Sequence, residues 1–316
     1  AEKKMKEAGT YDAFASYGTE TGYSRVTNYE FFKTIAFKIR TIDTKPADTG
    51  TALFGKSLST PIIAGAMSNP RGGGMKDALK IWALGMKEAD SMMGVGITGS
   101  GDFRELMQVG VPTYRISKPY KDRGKMVKEM KEAEELGAVA VGTDIDFVCG
   151  GKSGDNTFFD KEMHPLSSGE LRDLRKETSL PFIIKGILHE DDAVKALKIG
   201  ADAIVVSNHR AMVLDYCAHS LEVLPIILRV LGKEMTVLVD GGFMRGSDVL
   251  KALALGADGV LVGQAILLAA FAGGAEGVRD MIAGMTDQLR RAMTLTGCRN
   301  VTSVDESILI RRNFIL

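Results

Sequence analysis

Polar residues able to do chemistry stand at the ends of four consecutive apolar runs. Lys185 interrupts Phe182-Ile183-Ile184-Lys185-Gly186-Ile187, and His209 follows Ala203-Ile204-Val205-Val206-Ser207-Asn208. Asp240-Gly241-Gly242 follows Thr236-Val237-Leu238-Val239, and Gly263 ends Gly259-Val260-Leu261-Val262. A lysine at the mouth of an apolar layer needs an anionic partner, because an unpaired buried charge is costly. A histidine with an unperturbed pKa of about 6.5 is suited to taking a proton from a hydroxyl group at neutral pH. Glycine-bearing strand ends that lead into helices offer backbone N–H groups that favour an anion. Chance supplies one such residue; four in succession describe a site. Two carboxylates, Asp144 and Asp146, stand at period two and face the same way in a strand. They read equally as a metal pair and as an acidic rim.

These residues need elements to hold them. The runs are apolar throughout instead of alternating, as expected of parallel strands covered on both faces. A helical pattern follows each one, which implies right-handed crossovers. A parallel barrel carries its working residues at the C-terminal ends of its strands, where these fall. Earlier in the chain, 61–67, 92–97, 112–117 and 138–146 read as the first four strands. Ala64, Gly65 and Ala66 in the first are small enough for a flat ligand to approach the backbone. Helices are expected over 76–89, 125–136 and 166–178, with a closing helix over 277–295. The polar connection 147–165 reads as a lid. Residues 1–30 start helical and become loop-like, and 31–43 alternates in part, suggesting a strand pair outside the barrel. The apolar tail, Ile308 to Ile310 and Phe314 to Leu316, should pack on the body or on a neighbouring subunit. The glycine-rich stretch 69–74 lacks the lysine and Ser/Thr of a P-loop. The expected fold is a (β/α)8 TIM barrel, one domain over 1–316, with a short N-terminal helical and β extension and a C-terminal closing helix.

Composition bounds the function. The chain has 316 residues, 45% of them hydrophobic, which is ample for such a core. Lys plus Arg and Asp plus Glu both total 40, so net charge gives no reason to expect nucleic-acid binding. Cys149, Cys217 and Cys298 have neither metal-site spacing nor a disulfide framework, and read as reduced thiols of a cytoplasmic protein. No apolar run reaches membrane-spanning length, and the charged start is not followed by a signal-peptide core.

The segment 180–304 closely resembles the FMN-dependent α-hydroxy-acid dehydrogenase and oxidase family, which includes glycolate and lactate oxidases. The resemblance rests on Leu180-Pro181-Phe182-Ile183-Ile184-Lys185-Gly186-Ile187, on 200–209 ending in Ser207-Asn208-His209, on 240–257 beginning Asp240-Gly241-Gly242, and on Thr296-Gly297-Cys298-Arg299. It continues more weakly through 61–67, Tyr120-Lys121-Asp122-Arg123 and 143–146. It implies non-covalently bound FMN, with Lys185 stabilising negative charge on the reduced ring. His209 would be the catalytic base and Asp146 the acid that orients it, with Asp144 as the competing position. FMN-binding positions would be Ala64, Gly65, Ala66, Gly94, Asp144, Lys185, Ser207, Asp240, Gly241, Gly242, Arg245, Gly263 and Gln264. No metal is implied, and a homo-oligomer, tetramer or octamer, is.

The chain departs from the family at charged positions. Met244 and Gln264 stand where the family has phosphate-gripping arginines, and Met212 where an arginine holds the substrate carboxylate. Ala13 and Lys118 replace the substrate tyrosines. A thioether cannot make the bidentate contact of a guanidinium, so Arg210 and Lys118, beside Met212, are the candidate binders of an anionic substrate. Arg210 can equally serve the FMN phosphate edge. The leading reading is an oxidoreductase acting on a 2-hydroxy acid or related hydroxy compound. A flavin-dependent isomerase or reductase like the type 2 isopentenyl-diphosphate isomerases, and a flavin protein that has lost catalysis, are the alternatives.

Overall fold

The computed structural model describes residues 1–7, 19–68, 75, 77–148, 157–158 and 161–312. Eight parallel strands form one sheet: β1 (Ile62–Ala64), β2 (Met93–Val95), β3 (Thr113–Ser117), β4 (Ala140–Asp144), β5 (Phe182–Ile187), β6 (Ala203–Val206), β7 (Thr236–Val239) and β8 (Gly259–Val262). From β2 to β8 each strand pairs with the next in sequence, and β8 returns to β1. Ala64 N–H donates to the Met92 carbonyl at 2.9 Å and Gly96 N–H to that of Met67 at 2.8 Å, which brings β1 against β2 and closes the ring. Helices follow the strands: α1 (Ala78–Glu88), α2 (Ser100–Met107), α3 (Arg123–Glu135), α4 (Ser168–Lys176), α5 (Glu190–Ile199), α6 (Ser220–Leu231), α7 (Gly246–Ala254) and α8 (Gln264–Leu295).

The unbroken apolar runs of the strands have a double use. One set of side chains, including Ile63, Met92, Ile183, Val205 and Leu238, fills the barrel interior. The other set, including Ile62, Phe182, Ile184 and Ile204, packs outward under the helices. The antiparallel hairpin Thr51–Leu53 with Lys56–Leu58 adds Leu53 and Leu58 to the interior cluster. Helix ends carry local stop and start signals. Ser167 and Glu170 form a reciprocal capping box at α4, and Gly200 ends α5 in the left-handed conformation.

The strand pair expected near 31–43 exists with a different partner. Ile35–Phe37 pairs antiparallel with Leu309–Arg311, so the second strand comes from the far end of the chain. Partial alternation within 31–43 marks a strand but carries no information about what it pairs with. The tail around Ile308–Ile310 packs on the body through this pairing; 314–316 lie outside the described residues, as do 69–74. The closing helix begins at Gln264, earlier than expected, and bends at Gly273 and Gly274 before the stretch from Gly277. Of the expected lid, 149–156 and 159–160 lie outside the described residues; Thr157–Phe158 pairs antiparallel with Lys161–Glu162.

Candidate active site at the C-terminal ends of the strands

Parallel register brings the charged residues level. Lys185 in β5 lies opposite Asp144 in β4 and Val205 in β6. Lys185 is 5% exposed. Its Nζ lies 3.1 Å from Ser207 Oγ, 3.3 Å from Asp240 Oδ2 and 3.5 Å from Asp144 Oδ1. Burial alone would push a lysine pKa down; here Asp240, Asp144 and Asp146 outweigh it and hold the ammonium group charged well beyond the usual range. Asp144 is its counterpart. Burial would raise its pKa, but Lys118, Lys185 and His209 overcome that and hold the carboxylate ionised. Burying one such ion unpaired would cost several kcal/mol, so these groups depend on one another.

His209 stands just after β6 in a short 3-10 turn, His209–Ala211. His209, Arg210 and Ala211 all have positive φ, at 49°, 58° and 58°. Such backbone is uncommon for residues with side chains, costs of order 1–3 kcal/mol each, and needs support. Ser207 Oγ accepts from His209 N–H at 3.1 Å, and the Asn208 carbonyl accepts from Ala211 N–H at 2.8 Å. The Asn208 side chain donates to Asn28 Oδ1 at 2.6 Å and to the Ala218 carbonyl at 3.1 Å. Asn28 belongs to the helix Tyr23–Glu30, whose first turn is held by Asp215: its carboxylate accepts from Ser24 N–H at 2.9 Å and from Thr21. The N-terminal extension therefore buttresses the histidine turn.

The imidazole has two charged neighbours. Nδ1 lies 3.0 Å and 3.1 Å from the two Asp146 oxygens and 3.9 Å from Asp144 Oδ1. Of the two acids left open by the sequence, Asp146 is the one paired with His209, while Asp144 pairs with the lysines. Nε2 lies 3.3 Å from Lys118 Nζ, which also donates to Asp144 Oδ2 at 2.5 Å. Phe147 covers this corner, its ring 4.4 Å from Lys118 Nζ and 5.0 Å from the His209 ring. Asp144, Asp146 and His209 present ligand-type atoms within 4.8 Å of one another. Lys118 and Lys185 already supply positive charge to Asp144 there.

A cleft opens beside Lys185 and His209. Gly65 to Met67, Asp240 to Met244, Leu261 to Gln264, Arg210 and Met212 line it with them. Ala64 lies buried at the end of β1, and Ser207 contacts Lys185 and the His209 backbone behind the lining. Gly94 sits inside the barrel, where a Cβ would meet Ala64 O and Tyr114 Oη at 2.5 Å. Arg245 is exposed at the N-cap of α7, away from the cleft lining. Lys118 is 4% exposed behind His209. Ala13 lies outside the described residues.

The cleft fits the flavin mononucleotide expected from the sequence. Gly65 and Ala66 in its lining are small, which leaves room for a flat ring system. A buried cation, Lys185, lines it. The N-terminus of α8 opens into it at Gly263 and Gln264 without a side-chain cap, which leaves N–H donors for a phosphate. Gly241 has φ 117°, and a Cβ there would meet Ser220 Oγ at 2.9 Å, so this part of the lining must be bare.

Sequence reasoning missed Asn28, Phe147 and His219. His219 caps α6 through Nδ1 at 3.0 Å and holds the Gly241 carbonyl through Nε2 at 3.1 Å. Burial pushes its pKa down to about 4, so it is a neutral structural histidine. Motif spacing marks neither Asn28 nor Phe147; the only signal for His219 is its place three residues before Glu222, a capping-box pattern.

The chain matches the family described as FMN-dependent dehydrogenase over residues 1–157 and 151–311. It is 30% identical over 344 residues to 2-hydroxyacid oxidase of Dictyostelium discoideum, covering 98% of this chain and 88% of that protein. It is 32% identical over 305 residues to 2-hydroxyacid oxidase 1 of Homo sapiens, covering 84% and 82%. Its fold superposes on a solved structure of mandelate oxidase with 3,3-difluoro-2-hydroxy-3-phenylpropionic acid, at TM-score 0.86 and 28% identity over 98% of this chain and 96% of that one.

Proposed function

Because the chain belongs to the FMN-dependent dehydrogenase family, we propose that it oxidises a small 2-hydroxy acid, with His209 as base and Asp146 as the group that orients it. The protein is an FMN-dependent oxidoreductase of the 2-hydroxy-acid oxidase type, acting on a CH–OH donor. The observation that carries the residue assignment is the His209 Nδ1 to Asp146 distance of 3.0 Å. A carboxylate on Nδ1–H fixes the tautomer and leaves Nε2 as the proton acceptor. When the hydroxyl proton moves to Nε2, Asp146 stabilises the imidazolium that results.

When bound, FMN supplies the two-electron acceptor. The residues that would hold it are Gly65, Ala66, Lys185, Asp240 to Gly242, Gly263 and Gln264, which line the cleft, with Ala64, Gly94, Asp144 and Ser207 behind that lining. Arg245 belongs to this set only through the motif. Lys185 offers positive charge to an anionic ring, already oriented by Asp240 and Asp144. On the substrate side Arg210 and Lys118 supply cations and Met212 an apolar contact. The curated oxidase relatives favour this reading over an isomerase and over a protein that has lost catalysis.

The reading includes one FMN-binding domain over 1–316 and no metal or nucleic-acid partner. A cytoplasmic location agrees with Cys217 and Cys298, which are free thiols. A homo-oligomer agrees with exposed Ile39, Ile42 and Leu295; light scattering of the purified protein measures it. Among the described residues, no helix is long and apolar enough to cross a membrane.

The test is to load the protein with FMN and add glycolate, L-lactate and mandelate without oxygen. Bleaching of the flavin by at least one acid is expected. Protein that takes up no FMN, or bound flavin that no hydroxy acid bleaches, would sink the proposal.

A further inference from the structure

The corner behind His209 holds an unusual arrangement. Nδ1 is occupied by Asp146, and Nε2, the nitrogen that must accept the substrate proton, faces Lys118 Nζ at 3.3 Å. An ammonium group has three N–H donors and no acceptor. With Nδ1–H directed to Asp146, Nε2 must accept from Lys118. The lone pair needed for catalysis is thus already engaged. Phe147, 1% exposed, packs against both groups.

We propose that Lys118 is a specificity-determining latch: its ammonium group caps Nε2 of His209 until a carboxylate of the substrate draws it away. This rests on the reading of His209 as base and extends it to the substrate class. Lys118 is anchored by Asp144 at 2.5 Å, so that contact survives as the ammonium group swings off Nε2, and only the weaker partner changes. A carboxylate is a far better acceptor for an ammonium than a neutral imidazole nitrogen at 3.3 Å. The separation of Nζ and Nε2 is one hydrogen-bond length. On a 2-hydroxy acid the carboxylate and the hydroxyl sit on adjacent carbons, about that far apart. The same molecule therefore takes Lys118 with its carboxylate and presents its hydroxyl to the freed Nε2. The O–H bond breaks, and the proton goes to Nε2. A neutral alcohol has nothing to lift the cap, and a 3-hydroxy acid holds its hydroxyl a carbon further away. Selectivity for 2-hydroxy acids then comes from unmasking the base as well as from binding.

Oxalate, a non-oxidisable anion, probes the latch through the flavin absorbance of FMN-loaded protein. Wild type is expected to bind it. Lys118→Met leaves Asp144 short of a cation and risks misfolding, so Lys118→Met combined with Asp144→Asn keeps the corner neutral. Oxalate affinity should fall at least tenfold in that double variant and recover in Lys118→Arg. In His209→Ala the affinity should equal or exceed that of wild type, because the competing acceptor is gone. The rate ratio of L-lactate to lactamide in flavin reduction should fall at least tenfold in the double variant. No oxalate binding by wild type, equal binding by the double variant, or tenfold weaker binding by His209→Ala overturns the latch. Continued flavin reduction in His209→Ala would instead remove the base assignment, leaving the oxalate measurements to judge Lys118 separately.

Discussion

Gly186 leaves the space that the Asp146 carboxyl group occupies: a Cβ on residue 186 would stand 2.5 Å from Asp146 Cγ. The glycine also has φ 98° and sits where the β5–β6 register shifts between Lys185 and Ile187. One residue thus bends the strand that carries Lys185 and admits the acid that orients His209. A bulge with glycine beside a site is a common way to re-aim side chains.

Gly186→Ala should therefore act on both stability and chemistry. The backbone strain alone costs about 1–3 kcal/mol, and Asp146 must also move away from Nδ1 of His209. The expected result is a lower unfolding midpoint in urea with bound FMN retained, and flavin reduction slowed at least about tenfold. A variant as stable and as fast as wild type would show that the close approach is not needed.

His209→Ala should abolish substrate turnover while FMN stays bound. General-base catalysis contributes roughly 10²- to 10⁴-fold, and the phosphate end of the cleft lies on other strands. Single-turnover flavin bleaching measures the rate, and the visible spectrum measures occupancy. Undiminished bleaching would mean that another group takes the proton.

Arg210 lines the cleft together with Met212. A charge-assisted contact is worth roughly 1.5–3 kcal/mol, so Arg210→Ala should weaken substrate or FMN binding by at least about tenfold. Titration of each ligand separately decides which. Adding Met212→Arg to that variant should restore activity on simple 2-hydroxy acids if the new guanidinium reaches the carboxylate. Unchanged affinity for both ligands would refute the assignment of Arg210 and leave Lys118 as the cation for the substrate.

His219 predicts a pH dependence of stability. Its folded pKa of about 4 lies below the unfolded value of about 6.5. The folded state binds fewer protons, so this contribution is complete above the unfolded value. It is lost as pH falls from about 6.5 towards 4, with about 2 kcal/mol gone at pH 5. His219→Asn should be less stable at pH 7 yet show a flatter profile between pH 7 and 5. Urea unfolding at both pH values measures it; equal slopes for the two proteins would assign the dependence elsewhere.

The eight strands, most of their helices (though not Ser100–Met107) and the placement of Lys185, His209, Asp240 and Gly263 at strand ends were legible in the residues themselves. Burial on both faces leaves unbroken apolar runs, and the motifs span a few neighbouring positions each. Pairings between distant elements were not legible. Asp144 and Asp146 share a face by period two, so periodicity could not choose between them. The choice was made where the chain leaves β4 beyond Asp144, and Asp146 meets a ring 63 positions away. Lys118 and His209 are 91 positions apart, Asn28 and Asn208 are 180 apart, and Ile35 pairs with Arg311. Residue type and spacing specify what one element can bury and where it ends. Barrel closure, strand register and the left-handed turn at His209 set which side chains then meet, because those depend on many packed elements at once.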